Sequence, residues 1–519
     1  MQGRRHYHLP KRPKKRSSYE RKKIMNKYLQ IDVNDNVAVA IHDMKAGEEF
    51  SCKDGTFALK EDIARGHKFA LTDIADGANV VKYGFPIGHA TTAIARGTWV
   101  HTHNVKTNLE GLLEYKYQPV QPAVFPASKA TFDGFVRADG SVGVRNEIWI
   151  INTVGCVNKT AELLTKKAKS LPEAAKVDDI CCFTHPYGCS QLGTDHVNTQ
   201  KILAGLARHP NAGGVLILSL GCENNNLDSF LPVLGEYDKN RVKILVTQDV
   251  EDEIETGLEL IRELIDYAAG FRRQPVDASN LKIGLKCGGS DGFSGITANP
   301  LLGRFSDMLT ACGGTTLLSE VPEMFGAETI LMNRATDEGV FSRTVDMIND
   351  FKLYFTRYEQ NIYENPSPGN KKGGITTLED KSLGCTQKGG TSAVTDVLLY
   401  GDEVKEKGLN LLTGPGNDIV ACTALAASGA HIILFTTGRG TPLGAPVPTV
   451  KVATNTQLAI KKKNWIDFNA GQLVDGVSME ELQNDFFRYV LDVASGRLQT
   501  RNEENGYKEI AIFKDGVTL

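Results

Sequence analysis

The sequence predicts an α/β protein: a small β-rich N-terminal region, a linker, and a large region built on a mostly parallel sheet. Three observations carry this. Apolar, β-prone runs at residues 146–154, 180–184, 215–220 and 281–287 each stop at a polar, glycine-turned loop, giving Gly155-Cys156, Gly188-Cys189, Gly221-Cys222 and Cys287-Gly288. Such runs read as buried parallel strands. Helical stretches alternate with them, which argues for a parallel sheet flanked by helices. Before residue 105 the apolar runs are shorter and split by Gly and Asp turns, as in an all-β unit.

The chain has 519 residues, enough for two to four domains. Its hydrophobic content of 41% and charged content of 23% are those of a globular protein. A formal net charge of -3 makes no general case for nucleic acid or a membrane surface. No apolar run reaches the ~20 residues of a membrane span, so neither kind of partner is expected. The ten cysteines are scattered, not spaced as a disulfide framework. A reduced, cytoplasmic protein is expected.

Residues 1–27 are rich in Lys and Arg, with Glu20 as the single acid, and read as a disordered extension. The alternative is a nucleic-acid arm or localisation signal. Met25, just before the globular pattern, is a candidate start. Residues 28–104 read as the β region. Polar clusters punctuate it: Arg65-Gly-His67-Lys68, Lys82 to His89, and His101-Thr-His103-Asn104. His101 and His103 alternate along an expected strand and so face opposite sides; His103 is favoured because Asn104 leads it into a loop.

Residues 105–131, with prolines at 119, 122 and 126, read as an extended linker. In residues 132–271, helices are expected at 159–170, 194–208 and 250–269; the last has apolar residues at Ile254, Leu258, Ile261 and Ile265. Residues 272–519 continue the pattern, with strands near 282, 315, 410 and 431 and a closing helix near 479–496. Residues 361–392 read as a long polar, glycine-rich loop, and loops of that length are usually functional or disordered.

Dinucleotide and phosphate-loop fingerprints and C-x-x-C pairs are missing, and Gly288-Gly-Ser290-Asp-Gly, which has the spacing of a G-x-S-x-G elbow, carries Asp at its fourth place. What remains is Cys, His, Glu, Asp and Asn on strand-end loops. Imidazole and carboxylate suit Fe²⁺ or Mn²⁺, with thiolate a softer option. By position, His185, Cys189, Cys222 and Glu223 are the metal-ligand candidates. Cys181, Cys182, Cys312 and Cys422, within strands or helices, read as packing residues. Three strand-end cysteines could instead hold an iron–sulfur cluster, although no local spacing supports one.

The runs Gly66-His-Lys-Phe-Ala-Leu-Thr-Asp, Val142-Gly-Val-Arg-Asn-Glu, Tyr187-Gly-Cys-Ser-Gln-Leu-Gly, Leu220-Gly-Cys-Glu-Asn-Asn, Cys287-Gly-Gly-Ser-Asp-Gly-Phe-Ser-Gly and Pro366-Ser-Pro-Gly-Asn-Lys-Lys-Gly-Gly resemble the altronate/galactarate dehydratase family. The match runs from about Tyr28 to Leu519. The resemblance implies an N-terminal SAF (β-clip) domain, a Rossmann-like parallel sheet, activation by Fe²⁺ (with Mn²⁺ a possible substitute) and a homodimer. It implies a hydro-lyase acting on a small sugar acid, D-altronate or a relative such as galactarate. Dehydration of a 2,3-dihydroxy acid removes the weakly acidic C2 proton and expels the C3 hydroxyl. It therefore needs a base of near-neutral pKa and groups that neutralise enolate-like charge. His67, Lys68 and His103 are candidate bases. Arg145, Lys381, Lys388 and Arg439 are candidate carboxylate clamps. Asn224, Ser290 and Asp291, within the family motifs, are expected to touch substrate. The other class of function consistent with the chain is a non-catalytic sugar-acid sensor.

Overall fold

A computed structural model describes residues 27–52 and 55–519. The expectations for the basic N-terminus fall outside these residues. Among the described residues, no helix is long and apolar enough to cross a membrane.

The N-terminal region is antiparallel throughout. One sheet runs Tyr28–Leu29, Val37–Ala40, Lys68–Ala70, Trp99–Val100; a second runs Asn79–Lys82, Phe85–Ala90, Val105–Lys106; a hairpin joins Glu49–Cys52 to Gly55–Ala58. Two of these strands carry lysines where an interior residue belongs. Lys68 stands between Val39 and Val100 in the sheet and, with Lys82, is buried. Trp99–Val100 ends before either histidine beyond it. Asn104 stops the strand: its Oδ1 accepts from the His101 amide at 2.9 Å and its Nδ2 donates to the Trp99 carbonyl at 2.8 Å. Residues 101–104 are therefore a turn, and the alternation expected for His101 and His103 does not apply.

The stretch that follows is extended. It is nevertheless docked, since the Tyr117 hydroxyl donates to the Ala335 carbonyl at 2.9 Å and that of Tyr115 to Glu328. Thr131–Val136 then pairs antiparallel with Val142–Gly143 and Arg273–Asp277. These strands bracket a four-stranded parallel sheet ordered Ile180–Phe183, Glu147–Asn152, Ala212–Ser219, Val242–Val246. Every residue of Glu147–Asn152 and Ala212–Ser219 is buried. Helices on both faces explain why these two strands read as unbroken apolar runs.

The C-terminal sheet has seven parallel strands, ordered Val394–Leu398, Gly408–Leu412, Thr315–Leu318, Lys282–Cys287, Ile432–Thr437, Thr449–Ala453, Phe468–Asn469. Its core includes Phe305, Phe325, Leu331 and Phe486. The stretch expected as one long loop is instead folded into short helices. Pro368–Lys372 starts in a capping box between Ser367 and Asn370, and Leu378–Cys385 is capped by Thr377. The cap residues lie among glycines and prolines, which masked them in the sequence.

Candidate active site

In the C-terminal sheet the chain leaves Lys282–Cys287 for Thr315–Leu318 on one side and returns to Ile432–Thr437 on the other. This is the order reversal outside which ligands sit in open α/β sheets. The loops there are capped by the N-terminal region and by the buried helix Leu378–Cys385. The approach is tight: a Cβ on Gly292 would lie 2.0 Å from the Gly66 carbonyl oxygen, so only glycine fits.

Two buried clusters occupy this junction. In the first, Lys68 Nζ donates to the Gly374 carbonyl (2.8 Å), Thr376 Oγ1 (2.7 Å) and Asp380 Oδ2 (2.8 Å), while Lys82 Nζ donates to Asp380 Oδ1 (3.0 Å). Burial pushes the Lys68 ammonium down to about 8, although Asp380 opposes this. Burial also works against the Asp380 carboxylate, but the two ammonium groups overcome it and hold its pKa well below the usual range. Beside them, His101 Nδ1 lies 3.1 Å from Thr376 Oγ1. His67 Nδ1 accepts from the Trp99 indole at 3.2 Å, which places the proton on Nε2, 3.3 Å from the Lys372 carbonyl. Burial lowers both histidines, His101 to about 3 with Lys68 and His67 adding to the effect, so both are neutral.

The second cluster is anionic groups among lysines. The thiols of Cys287 and Cys385 are 3.4 Å apart and donate to Glu323 Oε2 at 3.1 and 3.0 Å. Lys388 Nζ donates to Cys287 Sγ (2.8 Å) and Glu320 Oε2 (2.7 Å). Lys286 pairs with Glu320, and Lys381 with Glu323 Oε1 at 2.8 Å. Glu320 is fully buried in the left-handed region at φ 71°, a conformation that costs a non-glycine residue of order 1–3 kcal/mol. Burial opposes the Glu323 carboxylate, yet Lys381, Lys286 and Lys388 hold its pKa far down. Cys287, Glu323 and Cys385 form the group of ligand atoms, all within 4.8 Å of one another, that could hold a metal ion among the described residues. Two thiols and a carboxylate, buried together, fit a borderline divalent ion, although Lys381 and Lys388 would have to release them.

Between the clusters lies a small cavity lined by Lys82 and Tyr83 from the N-terminal region and by Ser290, Asp291, Lys381 and Cys385 from the C-terminal domain. Thus His67, Lys68, Ser290, Asp291, Lys381 and Lys388, expected from sequence, gather here. Arg439 stands at the exposed rim, its guanidinium 3.4 Å from the Gly369 carbonyl. His103 does not join them; it is exposed and packs on the outer side of Trp99, with ring centroids 4.9 Å apart.

The other candidates lie elsewhere. Arg145 is locked to Glu503 at 2.5 and 3.0 Å and to the carbonyls of Val144 and Val493. His185, Cys189, Cys222, Glu223 and Asn224 sit on the middle sheet and do not form a single-ion site. Glu223 is consumed by Thr153, Ser219 and the amides of Leu220 and Gly221. His185 is held at both nitrogens, by the Asn152 carbonyl (2.8 Å) and the Tyr187 amide (3.2 Å). Asn224 Oδ1 accepts from the Ser190 amide at 2.7 Å. Sequence reasoning missed Asp380, Glu320 and Glu323, and it gave Lys82 no role beyond its polar cluster. Glu320 and Glu323 follow a strand with no cysteine at its end, so no local signal marked them.

The chain belongs to the altronate/galactarate dehydratase family. Three family models match in succession: the altronate/galactarate dehydratase SAF domain over residues 26–108, the D-galactarate dehydratase/altronate hydrolase second domain over 134–269, and the D-galactarate/altronate dehydratase C-terminal domain over 278–518. The chain is 56% identical over 494 residues to altronate dehydratase of Escherichia coli (strain K12), covering 95% of this chain and 100% of that one. It is 55% identical over 498 residues to altronate dehydratase of Bacillus subtilis (strain 168), again covering 95% and 100%. Galactarate dehydratase (L-threo-forming) of Escherichia coli (strain K12) is 35% identical over 506 residues, covering 94% of this chain and 96% of that one.

Proposed function

We propose that this chain is a hydro-lyase that converts D-altronate to 2-dehydro-3-deoxy-D-gluconate and water. The observation that carries this reading is the likeness to two altronate dehydratases over the full length of both, at 56% and 55% identity. The lower identity to galactarate dehydratase, 35%, makes galactarate the second choice of substrate.

The geometry supports this reading. Ser290, Lys381 and, at the rim, Arg439 receive the carboxylate. His101 is the base: with Nδ1–H donating to Thr376 Oγ1, which Lys68 already fixes, Nε2 carries the lone pair. A substrate carboxylate beside it raises its pKa from the depressed value of the free protein. His67 and Lys68 position His101 and Thr376 and do not themselves take the proton, since both of their polar heads are fully engaged. Removal of the C2 proton builds negative charge on the carboxylate, which the buried ammonium of Lys381 balances. The C3 hydroxyl then takes up the proton that His101 carries and leaves as water, and the enol tautomerises to the 2-keto acid. Fe²⁺ bound by Cys287, Glu323 and Cys385 would supply Lewis acidity toward the enolate-like charge and the leaving hydroxyl. A homodimer belongs to the same reading.

The test is 2-keto acid formation by the purified chain with D-altronate, galactarate and glucarate side by side. Turnover is expected with altronate at a kcat/KM at least tenfold above the others. Binding of altronate without turnover would replace the lyase reading with a sugar-acid sensor.

A further inference from the structure

We propose that Cys156, Cys189 and Cys222 together hold an iron–sulfur cluster at the carboxyl end of the middle sheet, a site separate from the junction described above. Among the cysteines whose side chains are described three are exposed, and they are these three; the other six are buried or half-buried. Burial is the rule for cysteine, so three exposed thiols gathered at one place in the fold need a reason.

They are gathered by topology. Ile180–Phe183, Glu147–Asn152 and Ala212–Ser219 are adjacent parallel strands, and each is followed by a Gly-Cys loop. The loops are tied together residue by residue beside the cysteines. The Gly155 amide donates to the Tyr187 carbonyl at 2.8 Å, and the Asn225 amide to the Gly188 carbonyl at 2.9 Å. The Ser190 amide donates to Asn224 Oδ1 at 2.7 Å. At Gly188 a Cβ would lie 2.0 Å from the Thr153 carbonyl oxygen, so the second loop is pressed onto the first immediately before Cys189.

The thiols are free to act as ligands. Cys222 Sγ has only a 3.4 Å contact from the Gln248 amide, and Cys189 Sγ only its neighbour's hydroxyl at 4.0 Å. They do not meet the 4.8 Å spacing at which donors share one ion, a condition that Cys287, Glu323 and Cys385 meet. A cluster, whose several irons lie between the thiolates, spans a wider gap than a single ion. Three thiolates leave one iron of a four-iron cluster without a cysteine. That iron faces solvent and takes an oxygen ligand, either water or the carboxylate of a small acid.

The test uses the full chain, reconstituted without oxygen from an iron salt, sulfide and a thiol, then desalted. The expected product holds about four irons and four acid-labile sulfides per chain, with broad visible absorption. Cys156→Ser, Cys189→Ser and Cys222→Ser should each lose at least tenfold of the bound sulfide, whereas Cys287→Ser, Cys385→Ser and Cys312→Ser should keep it. Circular dichroism on each variant separates cluster loss from misfolding. On the unaltered chain, alkylation and peptide mapping should show the three thiols reactive before reconstitution and protected after it. Iron bound without sulfide, equal alkylation in both states, or a cluster that survives the triple Ser substitution would overturn the proposal.

Discussion

Lys68 and Asp380, 312 positions apart, form a 2.8 Å ion pair in which the side chains are 0% and 1% exposed. The pair ties the N-terminal sheet to the helix that carries Cys385. Breaking it from one side strands a charge in the interior. Asp380→Ala should therefore cost about 3–5 kcal/mol of stability, read by chemical denaturation. Lys68→Met combined with Asp380→Leu should recover part of that stability and none of the activity.

His101 and His103 separate the two readings of the histidine turn. His101→Ala should lower kcat by roughly 10²–10⁴, the usual contribution of a general base. His103→Ala should stay within about threefold of the unaltered chain, because its ring is exposed beyond Trp99. Equal losses from both substitutions would remove His101 from its role.

The depressed pKa of Lys68 gives a pH dependence with a definite sign. Below pH 8 the lysine is charged in folded and unfolded chains alike, and the full burial penalty is present. Between about 8 and 10.5 the folded chain gives up the proton that the unfolded chain keeps, so stability rises with pH. The gain attributable to Lys68 is at most about 3 kcal/mol. The difference between unaltered and Lys68→Met chains, followed by urea unfolding from pH 7 to 10.5, should show this rise; a flat difference would contradict it.

Glu323→Gln keeps the shape of the second cluster and removes its charge. Ferrous iron should bind at least tenfold more weakly, read by calorimetry under reducing conditions, and turnover should fall by about 10² or more. A chelator should reproduce the loss in the unaltered chain and leave the Glu323→Gln chain little changed.

Arg145→Ala should behave in the opposite way. Its guanidinium is buried against Glu503 and two carbonyls, so its loss should cost about 3–5 kcal/mol and lower Tm. At a temperature where the variant is folded, kcat should be unchanged.

The sheets were legible because their strands are buried on both faces, which leaves runs such as residues 215–220 with no polar interruption. Two features of the site were not. That Lys68 and Lys82 share one buried carboxylate was hidden, because a lysine inside a strand is normally a solvent-facing residue; here a third element, the helix with Asp380, makes the interior polar. The Cys287, Glu323 and Cys385 group was not read as a single-ion site for a related reason. Gly-Cys strand ends occur on both sheets, and nothing local distinguishes Cys287, whose partners Glu323 and Cys385 lie 36 and 98 residues away. His101 was set aside for His103 because Asn104 read as loop continuation, when its side chain is what halts the strand.

The glycine-tight seam between Gly66 and Gly292, with the ion pair behind it, is packed like an interior and not like the hydrated surface across which domains swing. The N-terminal region is thus a fixed wall of the reaction chamber and not a hinged lid. Access to the small cavity beside Lys82, Tyr83 and Ser290 then falls to local motion and not to the swing of that region.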